Sequence, residues 1–405
     1  MHDCHDLGKR IKRFWSSAKR LYDRVRLRKA KPNETKWPPA LQPETKFPQA
    51  PERPKVPPST RVLPVDVFDR VADFLFEIRP PGDHHSSIIC CTKPHWKDVE
   101  GFLKASPELH AIGFVRWLVV LTIRIPEDWD RAKQYAHRVR ELHCLDRVFD
   151  SPSHRRVLIH FKHLYAVSID AHSDVSHNDQ NQFKYRNLIK ALPPSLRRLE
   201  ITRAHGPDIR VIATVKEYCP NLEELRLGRC TIFNSPVACD FWRSFPFDHD
   251  SYMSNQDTDG YAHSLAQELF PLRSLVSLRL GLYLIPSTTI LAHRIYHRRN
   301  LEAPAGLQWQ QALPLLQPPA AAAAEPPAMN HLLTLLHEPD PEHEFGSEHV
   351  CTMCTGAVGE TSQNAEASAN TIIKGLVPSL GTIQWMNWLT PGHLGFSSYT
   401  TPHSS

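Results

Sequence analysis

The sequence predicts an α/β chain folded as an irregular solenoid of about six strand–helix units. A Leu-x-x-Leu-x-Leu pattern, or a close equivalent, occurs three times. The first two copies start 26 residues apart, and the third starts 53 residues later, about twice that period. Apolar residues alternate within each copy, as expected for a short strand with one face in a core. The copies are Leu196/Leu199/Ile201, Leu222/Leu225/Leu227 and Leu275/Leu278/Leu280.

A period of about 20 to 29 residues on this pattern resembles the leucine-rich repeat, which stacks one strand per turn of a solenoid. The double spacing predicts one degenerate repeat, placed within residues 231–262. Helices are predicted between strands at 131–142, 182–191 and 208–218. Allowing Val, Ile and aromatic residues in place of Leu adds three more copies. These are Val115/Leu118/Val120, Leu164/Val167/Ile169 and Leu380/Ile383/Trp385.

Residues 61–98 predict a short all-α segment before the solenoid. Pro64 suits the first turn of a helix and Asp66 its positive end, and apolar residues follow at helical spacing. The segment resembles the first helix of an F-box, in which Leu-Pro precedes an aliphatic helix ending in Phe-Leu or His-Leu. The matching residues are Leu63, Pro64, Val67, Phe68, Val71, Phe74 and Leu75. The degenerate second half is represented by Ile88, Ile89, Cys91 and Trp96.

This combination resembles the fungal F-box and leucine-rich-repeat proteins. The resemblance implies a non-catalytic substrate receptor of an SCF-type cullin-RING ubiquitin ligase. The F-box-like helix would bind the Skp-type adaptor of the cullin complex, and the repeats would hold a protein substrate. The same helix could instead only cap the open end of the solenoid. The adaptor-binding residues implied are Leu63, Pro64, Val67, Phe68 and Val71.

Polar residues between the apolar strand positions are predicted to form the substrate-binding concave face, because side chains alternate along a strand. Arg and Glu occur there on adjacent strands, which suits a polar protein ligand better than a nucleic-acid backbone. Cross-strand pairs that only solvate the sheet are the alternative. The candidates are Asp170, Arg198, Glu200, Glu224, Arg226, Ser277, Arg279 and Gln384.

The N-terminal 60 residues are strongly basic, with 15 Lys/Arg against 6 Asp/Glu. Residues 9–31 predict a basic amphipathic helix. It could contact an anionic membrane surface, serve nuclear import, bind nucleic acid or enter a calmodulin-like groove, or it could dock on its own domain or be partly frayed. A Pro-rich linker at 32–60 follows the helical region at 1–31. The alternative function is a leucine-rich-repeat scaffold without a ubiquitin link, localised to a membrane surface or the nucleus by this helix.

Residues 296–370 are predicted to be a disordered insert, since their Gln/Pro/Ala-rich and acidic tracts supply few core residues. The insert separates the solenoid, at 99–295, from a last repeat and C-terminal cap at 371–405. It carries four residues of metal-ligand type in an H-x5-H-x-C-x2-C arrangement. A structural zinc site normally uses two separated pairs, so we predict no metal and keep the four as a candidate only. They are His343, His349, Cys351 and Cys354.

The sequence predicts no enzyme, cofactor or small-molecule substrate. It contains no phosphate-binding loop, dinucleotide fingerprint, zinc-protease motif or nucleophile elbow. No apolar run of about 18 residues and no secretory signal occur, so we expect a cytoplasmic or nuclear protein that is not secreted. Its nine cysteines are expected to be free thiols.

Overall fold

The computed structural model describes residues 64–80, 89–177, 183–230, 258–282, 360–386 and 396–400, with isolated positions at 239, 241, 284, 296 and 301. The architecture below belongs to one compact unit, Leu63–Ser405. The predicted basic helix at 9–31, the linker at 32–60, Leu63 and all four residues of the His/Cys motif lie outside the described residues.

The described chain begins with three helices, and strands follow with a helix between some of them but not all. The helices are α1 (Val65–Leu75), α2 (Trp96–Ala105), α3 (Pro107–Trp117), α4 (Asp128–Gln134), α5 (Asp208–Tyr218), α6 (Thr258–Leu269) and α7 (Glu360–Leu376), with a 3-10 helix at His154–His160. The strands are β1 (Val120–Ile123), β2 (Glu141–Cys144), β3 (Ala166–Asp170), β4 (Val175–His177), β5 (Phe183–Tyr185), β6 (Arg198–Ala204), β7 (Glu224–Arg229), β8 (Ser277–Leu280), β9 (Thr382–Met386) and β10 (Phe396–Thr400).

Seven of these strands form a parallel sheet in the order β1-β2-β3-β6-β7-β8-β9, which is also their order along the chain. Strand β10 pairs antiparallel with β9 at one edge, and β4 pairs with β5 in a separate hairpin. The predicted α/β class is confirmed. No described helix is both long and apolar enough to cross a membrane.

The repeated leucines build the core. The first leucine of each strict copy lies just before its strand, and the other two positions point inward from it. Every one of these side chains is at most 1% exposed. In register, Leu225 of β7 pairs with Leu199 of β6 and Leu278 of β8, so equivalent positions stack across the sheet. Burial of these aliphatic ladders is the main stabilising contribution of the sheet.

The predicted degenerate repeat at 231–262 is wrong, because β7 pairs directly with β8 and Glu224 lies opposite Ser277. The double spacing reflects one long connection, which includes α6 and returns to the neighbouring sheet position. Sequence spacing alone cannot distinguish a lost strand from a longer connection.

Three other local predictions change. The first predicted strand begins too early, since Val115 belongs to α3 and β1 starts at Val120. The helix predicted at 131–142 ends at Gln134, and β2 occupies its C-terminal end. The helix at 182–191 is wrong, because β5 begins there and non-helical backbone follows. The helix predicted at 208–218 is confirmed.

The prediction of disorder for 296–370 is wrong for its last eleven residues, which form the first part of α7. This helix lies against α6, and Ser368 Oγ donates to Asp259 Oδ1 at 2.7 Å. Trp385 of β9 is fully buried and donates from Nε1 to Asn370 Oδ1 at 2.8 Å. Small residues spaced along α7 therefore serve close packing, although the composition resembles a linker.

Candidate functional site

Helix α1 is fixed to the protein by one of its two apolar faces. Ala72 and Phe76 are buried and form a small core with Val99 and Leu103 of α2. Phe76 also meets the Trp117 ring edge-on, at a centroid distance of 6.5 Å. These contacts hold the helix in one orientation.

Ion pairs and a close helix crossing reinforce this attachment. Arg116 of α3 reaches Asp73 at 2.7 Å and Asp69 at 3.4 Å. Gly113 lets α3 approach closely, because a Cβ there would lie 2.7 Å from Phe76 Cζ. The first three helices of the described residues therefore form one packed group that runs to Trp117, past the predicted segment end at residue 98.

The opposite side of α1 is apolar and exposed. Val67, Val71 and Phe74 follow one another at spacings of four and three, so they lie on one side of the helix. Their side chains are 39%, 43% and 78% exposed. We call these three residues the α1 stripe. A helix with one apolar face buried and a second exposed has the form of a docking element.

The predicted adaptor-binding residues differ in their exposure to solvent. Pro64, Val67 and Val71 are exposed, whereas Phe68 is half-buried. Phe74 is the most exposed residue of the stripe but was absent from the predicted binding set. The sequence signal for Phe74 is its spacing of three residues from Val71, which places both residues on the same side of the helix.

The predicted concave-face residues lie in register across the sheet. In the first row, Arg198, Glu224 and Ser277 pair across β6, β7 and β8. In the second row, Glu200, Arg226, Arg279 and Gln384 pair across β6 to β9. We call these two sets the first and second polar rows.

Charges alternate between the two rows. Arg198 Nε lies 3.1 Å from Glu224 Oε2 in the first row. In the second row the sign is reversed, and Arg226 forms an ion pair with Glu200. Each acid therefore lies beside a base both across strands and along its own strand.

Access differs between the rows. Glu200 is fully buried and Arg226 is 8% exposed, so this pair lies inside the protein. Arg198, Glu224, Ser277, Arg279 and Gln384 are half-buried and keep part of their surface. Burial lowers the pKa of the Arg279 guanidinium. The accessible part of this face therefore lies on the first row and at Arg279 and Gln384.

The connection between α1 and α2 covers the same face at β1 to β3. Ile89 and Cys90 pack against Ala166 of β3. The backbone N–H of Cys91 donates to Glu141 Oε2 at 2.6 Å. Burial and the neighbouring Glu141 carboxylate raise the pKa of the Cys91 thiol to about 11. This half of the predicted concave face is occupied by the chain itself.

Asp170, the remaining predicted residue of this face, has local partners at the end of β3. Its carboxylate pairs with Arg203, whose Nε lies 3.1 Å from Oδ1, and it accepts from the backbone N–H of His172 at 3.1 Å. Arg203 has a positive φ of 55°. The carboxylate holds the turn that follows β3.

Lys93, in the connection that covers this face, is expected to make the free energy of unfolding depend on pH. Its ammonium donates to the Val120 carbonyl at 3.0 Å and lies 3.9 Å from the centroid of the Trp117 ring. Burial, together with the nearby charge of Arg124, lowers the pKa of Lys93 from 10.5 to about 7. At mildly alkaline pH the folded protein has released this proton, while the unfolded chain still binds it.

The free energy of unfolding should therefore gain a contribution from Lys93 that rises with pH between about 7 and 10.5. We expect the free energy of unfolding of wild type, minus that of Lys93→Met, to increase by up to about 1.4 kcal/mol per pH unit in that range. Urea denaturation at several pH values measures it. The exposed Lys97→Met is the matched control, and a pH-independent Lys93→Met difference would contradict the assignment.

Comparison with known proteins returned no matching family model, curated protein or solved structure.

Proposed function

We propose that this protein is a non-catalytic substrate receptor of an SCF-type cullin-RING ubiquitin ligase. The observation that carries the proposal is the α1 stripe, which is exposed while the other face of the same helix is anchored. In the F-box family that the sequence resembles, this first helix binds the Skp-type adaptor. Val67, Val71 and Phe74 are the residues that would enter an apolar groove of the adaptor.

The sheet supports a role in holding a substrate. We propose that the seven parallel strands are the turns of an irregular leucine-rich-repeat solenoid. Their order in the sheet follows the chain, and stacked buried leucines repeat across β6, β7 and β8. The first polar row with Arg279 and Gln384 would then meet the substrate, because the second-row pair of Glu200 and Arg226 is buried.

The receptor would act by proximity and would make no bond itself. Holding a substrate close to the conjugating enzyme raises the effective concentration of its lysine side chains. A rigid link between the adaptor-binding helix and the sheet would favour this role. The connection at Cys91 and Lys93 provides such a link, since it is hydrogen-bonded to β1 and β2.

A helix that only caps the sheet would bury its apolar residues. Phe74 is 78% exposed, which favours a docking role. An interaction scaffold without a ubiquitin link would also use exposed surface. The two functions differ in whether the adaptor is bound.

The test is co-purification of the full chain with a fungal Skp-type adaptor. We expect wild type to retain the adaptor, and Val71→Asp and Phe74→Asp each to weaken binding by about 2 kcal/mol or more, a factor of about 30. A charge on this stripe would have to be desolvated in the apolar groove. Isothermal titration calorimetry measures the loss.

Ile209→Asp on α5 is the matched control, because Ile209 is also an exposed helical apolar residue and lies outside the stripe. It should bind the adaptor as wild type does. Failure of wild type to bind would end the ligase proposal in favour of a scaffold. Binding that survives both stripe substitutions would show that another surface contacts the adaptor.

A further inference from the structure

Two histidines and two cysteines converge beyond the C-terminal ends of three adjacent parallel strands. His172 follows β3, His205 follows β6 directly, and Cys230 follows β7 directly. Cys239 comes from the segment after Cys230 and faces the same point. One ligand atom from each of the four residues lies within 4.8 Å of all the others. We call this set the His/Cys cluster.

The distances within the cluster fit a tetrahedral metal ion. Cys239 Sγ lies 3.4 Å from His205 Nε2 and 4.0 Å from Cys230 Sγ. Around zinc with Zn–S of about 2.3 Å and Zn–N of about 2.0 Å, neighbouring ligand atoms are about 3.3 to 3.8 Å apart. Side-chain shifts of about 1 Å or less would close the larger gaps.

Asp174 orients His205 as a metal ligand. Its carboxylate accepts from the backbone N–H groups of His205 and Gly206, and Oδ1 lies 3.0 Å from His205 Nδ1. A carboxylate only accepts, so Nδ1 carries the hydrogen and the lone pair lies on Nε2, which faces Cys239. A carboxylate behind a ligand histidine is the usual support of a protein zinc site.

We propose that His172, His205, Cys230 and Cys239 bind one structural zinc ion. Two thiolates and two imidazoles form a closed tetrahedral set, which is typical of structural zinc. All four positions are filled by the protein, so the ion has no open position for substrate. The site is independent of the ubiquitin-ligase proposal and of the motif at 343–354.

The ion would fasten the segment containing Cys239 to the ends of β3, β6 and β7. Phe241, two residues further on, is buried against His205 and Phe183, at ring-centroid distances of 4.7 and 4.9 Å. This contact places Phe241 beside the C-terminal ends of the strands, and the bonds from Cys239 to the metal would hold the chain in that position. The long connection from β7 to β8 would thus be fixed close to its start.

The test is the metal content of the purified full chain, measured by inductively coupled plasma mass spectrometry. We expect one zinc ion per chain, with an X-ray absorption spectrum of two sulfur and two nitrogen ligands. Cobalt substitution should give the strong visible bands of a tetrahedral thiolate site. These wild-type measurements need no variant to fold.

Cys239→Ser and His172→Ala should each lose the bound zinc. Two controls match them: Cys91→Ser changes a cysteine outside the cluster, and Cys351→Ser with Cys354→Ser removes the other candidate cysteine pair. Both controls should keep one zinc ion per chain.

Three results would overturn the proposal. The first is a wild-type chain without bound metal, and the second is a Cys230–Cys239 disulfide in freshly purified protein. The third is zinc that survives Cys239→Ser and is lost when Cys351 and Cys354 are changed. The last result would place the ion at the motif that the sequence alone suggested.

Discussion

Trp129→Ala should lower the free energy of unfolding by about 3–5 kcal/mol. Trp129 is fully buried in α4 and packs against Phe149 and Phe161 at centroid distances of 5.4 and 6.0 Å. Its Nε1 donates to the Val148 carbonyl at 2.9 Å. Truncation would leave a large cavity and an unpaired carbonyl near the start of the sheet.

Two further variants separate the contributions. Trp129→Phe keeps most of the packing and loses the hydrogen bond, so it should cost about 1–3 kcal/mol. Ile125→Ala, at an exposed position near the start of the same helix, should stay within about 0.5 kcal/mol of wild type. Urea denaturation measures all three variants, with unfolding followed by far-ultraviolet circular dichroism because its backbone signal does not depend mainly on Trp129. A loss below about 1 kcal/mol for Trp129→Ala would mean that this core can collapse around the gap.

The sheet could be predicted from sequence wherever a strand carries the repeated apolar pattern. Five predicted copies, those at Leu164, Leu196, Leu222, Leu275 and Leu380, each lead into a strand of the sheet. The prediction works because burial on the same side of every strand imposes the same residue types. Strand β2 escaped detection because Cys144 occupies its last inward position, where the relaxed pattern allows Leu, Val, Ile or an aromatic residue but not Cys.

The polar candidates show a different limit. Alternation along a strand correctly places Glu200 and Arg226 on the face opposite the leucines. It does not report whether other parts of the chain cover that face, which depends on tertiary packing. The segment at Ile89 and Cys90 shows the same effect at β3.

The His/Cys cluster could not be predicted from the sequence. Its ligands are separated by 33, 25 and 9 positions along the chain, and none forms a short zinc knuckle. Only the pairing of β3, β6 and β7 brings their ends together. The compact motif at Cys351 and Cys354 drew attention because it is local, whereas the cluster depends on the fold.

Glu200→Ala should also cost about 3–5 kcal/mol of unfolding free energy. The substitution removes the carboxylate that pairs with Arg226 and leaves a guanidinium that is 8% exposed inside the protein. Replacing both residues, as Glu200→Leu with Arg226→Met, should cost less than Glu200→Ala, because the buried guanidinium is then removed together with the carboxylate that it pairs with. Urea denaturation of the full chain measures the single and double variants.

The first polar row supplies the matched control for this effect. Arg198 and Glu224 lie on the same two strands, one row away, with side chains 20% and 33% exposed. Glu224→Ala should therefore cost only about 0–1 kcal/mol. If Glu200→Ala proves as mild as Glu224→Ala, water reaches the second row and its charges are available to a ligand. A large difference would assign Glu200 and Arg226 to stability and leave the first row, Arg279 and Gln384 as the surface on which substrate contact must be sought.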